Sequence, residues 1–127
     1  MKSSGRGGLC SVPGAGVWCE SGVGCVCSGY GECFMRSLFA KRCCDLKGDA
    51  QRVTQLIHDT LISDMDRMGI TLKPLFGVAF VNRQESNLLV VHSSSHFGFG
   101  VCSGREKHVE ISERTNSEEY HVFKMQI

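Results

Sequence analysis

Two short stretches of this chain carry residue types at spacings able to do chemistry. Ser28-Gly29-Tyr30-Gly31 lies between a β-prone run and a helix beginning near Glu32. A strand–glycine loop–helix junction presents backbone N–H groups and the positive end of a helix dipole, which suits an oxyanion or a carboxylate. Ser28 adds a hydroxyl donor to that set. The same letters also serve a plain turn that needs two flexible glycines, and the pattern leaves both readings open. The second stretch is Gly5-Arg6-Gly7-Gly8. An arginine in a glycine-rich loop can clamp a carboxylate with two parallel hydrogen bonds. Unaided, that pattern favours a solvated arginine in a flexible terminus.

The remaining reactive side chains are less suggestive. Of the cysteines at positions 10, 19, 25, 27, 33, 43, 44 and 102, seven fall in the first 44 residues. Cys25-Val26-Cys27 and Cys43-Cys44 are not the two-residue-spaced knuckles that structural zinc uses. No secretory signal points to an oxidising compartment, so they read as small buried hydrophobes or free thiols in a reducing cell. His92 and His96 flank Ser93-Ser94-Ser95. Neighbours on a strand point to opposite faces, however, so a structural or surface role is expected for both. GxSxG, GxGxxG and HExxH signatures are absent.

The elements that would position these residues follow from hydrophobic period. Residues 1–13 are rich in Gly and Ser and read as loop. Gly14–Cys19 and Val23–Cys27 read as a strand pair turning at Glu20-Ser21-Gly22. Phe34, Met35, Leu38, Phe39 and Cys43 predict one helix from Glu32, which Lys47-Gly48 ends. Asp49 caps a second helix whose stripe is Val53, Leu56, Ile57, Leu61, Met65 and Met68. Leu75–Val81 is a continuous apolar run suited to a buried strand. Leu88–His92, Phe97–Cys102 and residues 107–112 supply further strands. Residues 113–127 are expected to be weakly ordered.

That order predicts a single α+β domain, an antiparallel sheet with two helices on one face. One helical layer would leave Leu75–Val81 apolar on its other side, which implies a second covering layer that is missing from this chain. Composition narrows the function classes. The 127 residues are 42% hydrophobic and 21% charged, with 14 basic against 13 acidic side chains. Such balance provides no basic footprint for nucleic acid or an anionic membrane. No apolar stretch approaches the length of a membrane span. An intracellular protein, cytoplasmic, nuclear or both, is the expectation.

Three segments together resemble a known family. They are Lys2-Ser3-Ser4-Gly5-Arg6-Gly7-Gly8, Gly14-Ala15-Gly16-Val17-Trp18-Cys19-Glu20, and Cys27-Ser28-Gly29-Tyr30-Gly31-Glu32 with Arg36. They are similar to the β subunit of the type-2 asparaginase family of N-terminal-nucleophile hydrolases, nearest its taspase (threonine aspartase) branch. The resemblance covers most of residues 2–112, and it is specific only in the first 45. It implies part of an αββα fold and a hydrolase that autocleaves to expose an N-terminal Thr, whose α-amine is the general base. It implies a carboxylate-binding role for Arg6. Substrate binding and oxyanion stabilisation would fall to Ser28, Gly29, Tyr30 and Gly31. The implied partners are an α subunit, the rest of the β subunit and protein substrates, and the implied chemistry requires no metal or organic cofactor.

Three departures shape that expectation. Asparaginases carry an acidic residue three positions after the Arg to hold a free α-amine, and here that position is Leu9. A peptide substrate needs no such partner, which favours a threonine-type endopeptidase cutting after Asp over an isoaspartyl peptidase or asparaginase. The usual Val after the Arg is Gly7. Finally, the nucleophilic Thr and the α subunit lie upstream of the Gly-Arg motif. Thr54, Thr60, Thr71 and Thr115 offer no substitute, because Asp59-Thr60 sits within a helix. The expectation is therefore a fragment that carries half a substrate pocket and no catalytic residue, with a non-catalytic pairing role as the rival.

Overall fold

The computed structural model describes residues 12–29, 31–47, 49–69 and 75–127. Strands β1 (Val17–Glu20) and β2 (Val23–Gly29) form the expected hairpin. Its turn places Ser21 and Gly22 at positive φ. Helices α1 (Gly31–Ser37) and α2 (Phe39–Asp45) follow, then α3 (Ala50–Ile57) and α4 (Ser63–Arg67). Strands β3 (Phe76–Asn82), β4 (Asn87–His92), β5 (His96–Ser103), β6 (Glu106–Glu113) and β7 (His121–Gln126) complete the chain.

The single helix expected from Glu32 is two helices, broken at Leu38, whose φ is 49°. The cause lies outside the helix. The first N–H groups of α2 need acceptors, and the loop before β1 supplies them. Ala40 N–H donates to the Ala15 carbonyl at 3.2 Å and Lys41 N–H to the Gly14 carbonyl at 2.9 Å. Breaking at Leu38 makes that docking possible and places Phe39, Ala40, Cys43 and Cys44 on the sheet. Phe34 meets Phe39 edge to face across the break, with ring centroids 5.4 Å apart.

Asp49 caps α3 as expected, accepting from the Arg52 N–H at 3.1 Å. A π turn, His58–Ile62, joins α3 to α4 into one continuous helical run. Two hydroxyls bond back into that run. Thr60 donates to the Leu56 carbonyl at 2.6 Å and Ser63 to the His58 carbonyl at 2.8 Å. The predicted stripe holds from Val53 to Met65, with Val53, Leu56, Ile57, Leu61 and Met65 buried, while its last member Met68 is half-buried against the core.

The main sheet is antiparallel, in the order β1-β2-β3-β4-β7. Its helical face presents Cys25, Phe76, Val78, Phe80, Leu89 and Val91 to the helices, all buried. The expectation of weak order beyond Arg114 fails for the last strand. Val122 and Phe123 alternate on β7, so one side chain serves each face, and the strand pairs with β4 from His121↔His92 to Gln126↔Asn87.

The sheet's other face is covered in part by the β5–β6 hairpin, a separate two-stranded sheet. Phe99 packs on Phe123 at 5.0 Å, and Phe97 stacks on His92 at 5.4 Å. Leu88, Val90 and His92 on β4 are buried as a result. Toward the β1 edge the cover runs out, where the cross-strand pair Val17 and Val26 remains 45% and 52% exposed. The second layer expected to be missing is therefore supplied by the chain's own β5–β6 hairpin, but over only part of the face.

Candidate functional site

The strand–glycine–helix junction opens onto a small cleft of about 160 Å³ lined by Ser28, Gly29, Leu75, Phe76, Gly77, Ser94 and Phe97. Register explains the assembly, since Ser28 pairs with Gly77 and Gly29 with Phe76. Gly29 has φ +141°, and a Cβ there would overlap the Leu75 carbonyl oxygen and lie 2.7 Å from Phe76 Cα. Gly77 is fixed by a different contact, because a Cβ would overlap the Phe97 ring. Two glycines thus let the chain close up around the cleft.

The polar groups are few. Ser28 is exposed, and its hydroxyl makes no hydrogen bond among the described residues. Ser94 is committed, donating to the His96 carbonyl at 2.8 Å. The Ser93 hydroxyl accepts from Phe76 N–H at 2.8 Å, while Ser93 N–H donates to the Phe76 carbonyl at 2.9 Å. These bonds fasten the start of β3 to the β4–β5 turn and hold two walls of the cleft at fixed separation.

Of the predicted site residues, the structure brings Ser28 and Gly29 into one cleft. Gly31 opens α1 outside its lining, and Arg6 and Tyr30 lie outside the described residues. The helix field is weaker than the sequence pattern implied. α1 spans seven residues, and the Glu32 carboxylate already occupies its first turn, 3.5 Å from Arg36. Among the described residues, the cleft therefore offers a hydroxyl beside an apolar wall of Leu75 and Phe97 rather than a concentration of positive charge.

Sequence reasoning missed Ser94 and Phe97 as cleft residues, and it missed the partner of His92. Nε2 of His92 meets the Ser112 hydroxyl at 2.9 Å, twenty positions along the chain. His92 and Ser112 are both buried. The structural role expected for His92 holds, and the alternation of His108, Glu110 and Ser112 on β6 was the only available pointer to its partner. Among the described residues, no group of three His, Cys, Asp or Glu side chains is placed to hold a metal ion.

The cysteines divide by environment. The hydrogen bond between Cys25 and Cys27, whose sulfurs are 3.8 Å apart, pushes the Cys25 thiol up, and burial adds to it. Cys43 is pushed up by its bond to Cys25 and by burial, and Cys44 is pushed up to about 12 mainly by burial. Protonated, enclosed thiols are poor nucleophiles. A disulfide-forming aromatic reagent at neutral pH should label exposed Cys19 and Cys102 promptly and spare Cys25, Cys43 and Cys44 until unfolding. Peptide mapping by mass spectrometry reads the order, and equal rates for Cys25 and Cys19 would show that the core between sheet and helices is open.

No family model matches this sequence. Among the described residues, no helix is long and apolar enough to cross a membrane.

Proposed function

We propose that this chain forms the substrate-binding part of a taspase-like threonine endopeptidase that cleaves protein substrates after Asp. The observation that supports this reading is the cleft itself, where Ser28 and Gly29 stand together at the end of β2, directly before α1. A peptide carbonyl seated there would meet the Ser28 hydroxyl, and Leu75 and Phe97 would exclude water from one side. Arg6 would bind the Asp carboxylate of the substrate through its planar guanidinium. The nucleophile would be an N-terminal Thr from the preceding segment of a processed precursor, with its own α-amine as base. Leu9 in place of an acidic residue disfavours free asparagine as substrate.

A non-catalytic reading is favoured by a separate observation, the uncovered Val17–Val26 corner of the sheet. In that case the chain pairs with an intact family member through this face. The two readings separate on the mass and N-terminal residue of the native protein isolated from its own cells. A longer chain beginning with a free Thr upstream of Lys2 supports the hydrolase. A chain of 127 residues beginning at Met1 removes the nucleophile and leaves pairing. In a processed enzyme, Arg6→Ala is expected to weaken turnover of Asp-containing peptides by about two orders of magnitude, the scale of losing a charged pair worth roughly 3 kcal/mol. Unchanged KM and kcat would remove Arg6 from the site.

A further inference from the structure

The β5–β6 hairpin is held on the sheet through one imidazole. His92 is fully buried, and its ring makes contacts in three directions. Nδ1 lies 2.9 Å from the Ser94 carbonyl and Nε2 lies 2.9 Å from the Ser112 hydroxyl on β6. A carbonyl can only accept, so Nδ1 carries a proton, while the Ser112 hydroxyl can donate to Nε2 of a neutral imidazole or accept from a charged one. The Phe97 ring of β5 stacks on the imidazole at 5.4 Å and 15°. The same ring fills the space over Gly77 and walls the Ser28–Gly29 cleft.

We propose that His92 is a pH-sensitive latch whose neutral imidazole keeps the β5–β6 hairpin docked and whose protonation releases the hairpin and, with Phe97, one wall of the cleft. The inference rests on packing and not on what the cleft binds. Every element against His92 bears on the cost of charging it. β7 brings His121, with ring centroids 5.7 Å apart. The segment after β6 brings the Arg114 guanidinium, whose Nε donates to the Ser93 carbonyl at 2.8 Å. β3 brings only Gly77 opposite it, and β5 and β6 bring Phe97 and Ser112. Among the described residues, Glu118 is the carboxylate that acts on His92. It already accepts from Thr115 N–H at 3.0 Å and lies 3.3 Å from His121 Nδ1. His96 and Glu113, 3.7 Å apart, are exposed at the hairpin's outer end.

Burial lowers the His92 pKa from the ordinary 6.5, His121 and Arg114 add to the lowering, and the hydrogen bond to the Ser94 carbonyl and the Glu118 carboxylate oppose it without reversing it. The docked state therefore binds protons less readily than the released state. The contribution of His92 to docking is fully present above 6.5 and is lost as pH falls below it, at up to about tenfold per pH unit for a single proton until the depressed value is passed. Acid release would bare Leu88, Val90 and Phe123.

Amide hydrogen exchange on the full chain, corrected for intrinsic rates, tests this between pH 7.5 and 5.5. Protection of β5 and β6 should fall toward about tenfold per unit below pH 6.5, while β2 and β3 hold theirs. His92→Gln should abolish the pH dependence. Parallel losses in all strands, no loss in the hairpin, or an unchanged profile in the variant would each overturn the latch. Should the variant not fold, the wild-type His92 ring signals decide by NMR. A midpoint below 6.5 that coincides with shifts at Phe97 and Gly77 supports the proposal, and a midpoint at or above 6.5 overturns it.

Discussion

Gly29→Ala is expected to destabilise the fold by about 3 kcal/mol or more and to abolish the cleft. Two costs combine at this position. A φ of +141° belongs to a region that side-chain-bearing residues essentially avoid. The added methyl would also meet backbone, the Leu75 carbonyl oxygen and Phe76 Cα, which cannot rotate aside as a side chain can. Relief requires unpairing Gly29 from Phe76 and shifting the end of β3, where Ser93 is bonded to Phe76. Gly104 supplies the control. Its φ is +61° and nothing lies within 4 Å of a Cβ there. Gly104→Ala should therefore carry the left-handed cost alone, about 1 kcal/mol. Urea unfolding of both variants reads the difference, and equal losses would mean that the Gly29 contact is slack.

The contrast between these glycines also marks where the sequence is legible. Ser28-Gly29 could be singled out because a hydroxyl beside a flexible residue at a strand–helix junction is a local pattern. That Leu75 and Phe97 form the walls could not, because they arrive through strand register and through a hairpin crossing the sheet. The helical stripe from Val53 to Met65 was readable for the same reason that the break at Leu38 was not. A 3.6 period is written in neighbouring residues, whereas the break exists so that Ala40 and Lys41 can donate to Ala15 and Gly14. The alternation of Phe97, Phe99 and Val101 showed a two-faced strand. Which surface their apolar side would cover depended on His92, Gly77 and Phe123, each on another element. The oxyanion reading of the junction was weakened by a local fact with a structural meaning, since Glu32 sits in the first turn of a seven-residue helix.

Deleting residues 120–127 should remove cooperative unfolding altogether, although residues 113–127 read from the sequence as a weakly ordered tail. Two surfaces depend on β7. On the helical face, Tyr120 and Val122 pack against the core, and Tyr120 also meets His58 Nε2 at 3.0 Å across the π turn. On the other face, Phe123 is the floor under Phe99, and Met125 pairs with Leu88. All four side chains are half-buried, so each is worth roughly 1 kcal/mol, about half the value for full burial. The deletion also strips β4 of one of its two ladder partners and turns a strand with five buried positions into an open edge. A loss of about 4 kcal/mol from side chains alone rivals the whole stability of a marginal domain, roughly 5 kcal/mol at the low end. Far-ultraviolet circular dichroism through a urea series is the check. A truncated chain that still unfolds in one sharp transition, within about 1 kcal/mol of the full one, would show that the hairpin and helices alone secure β4.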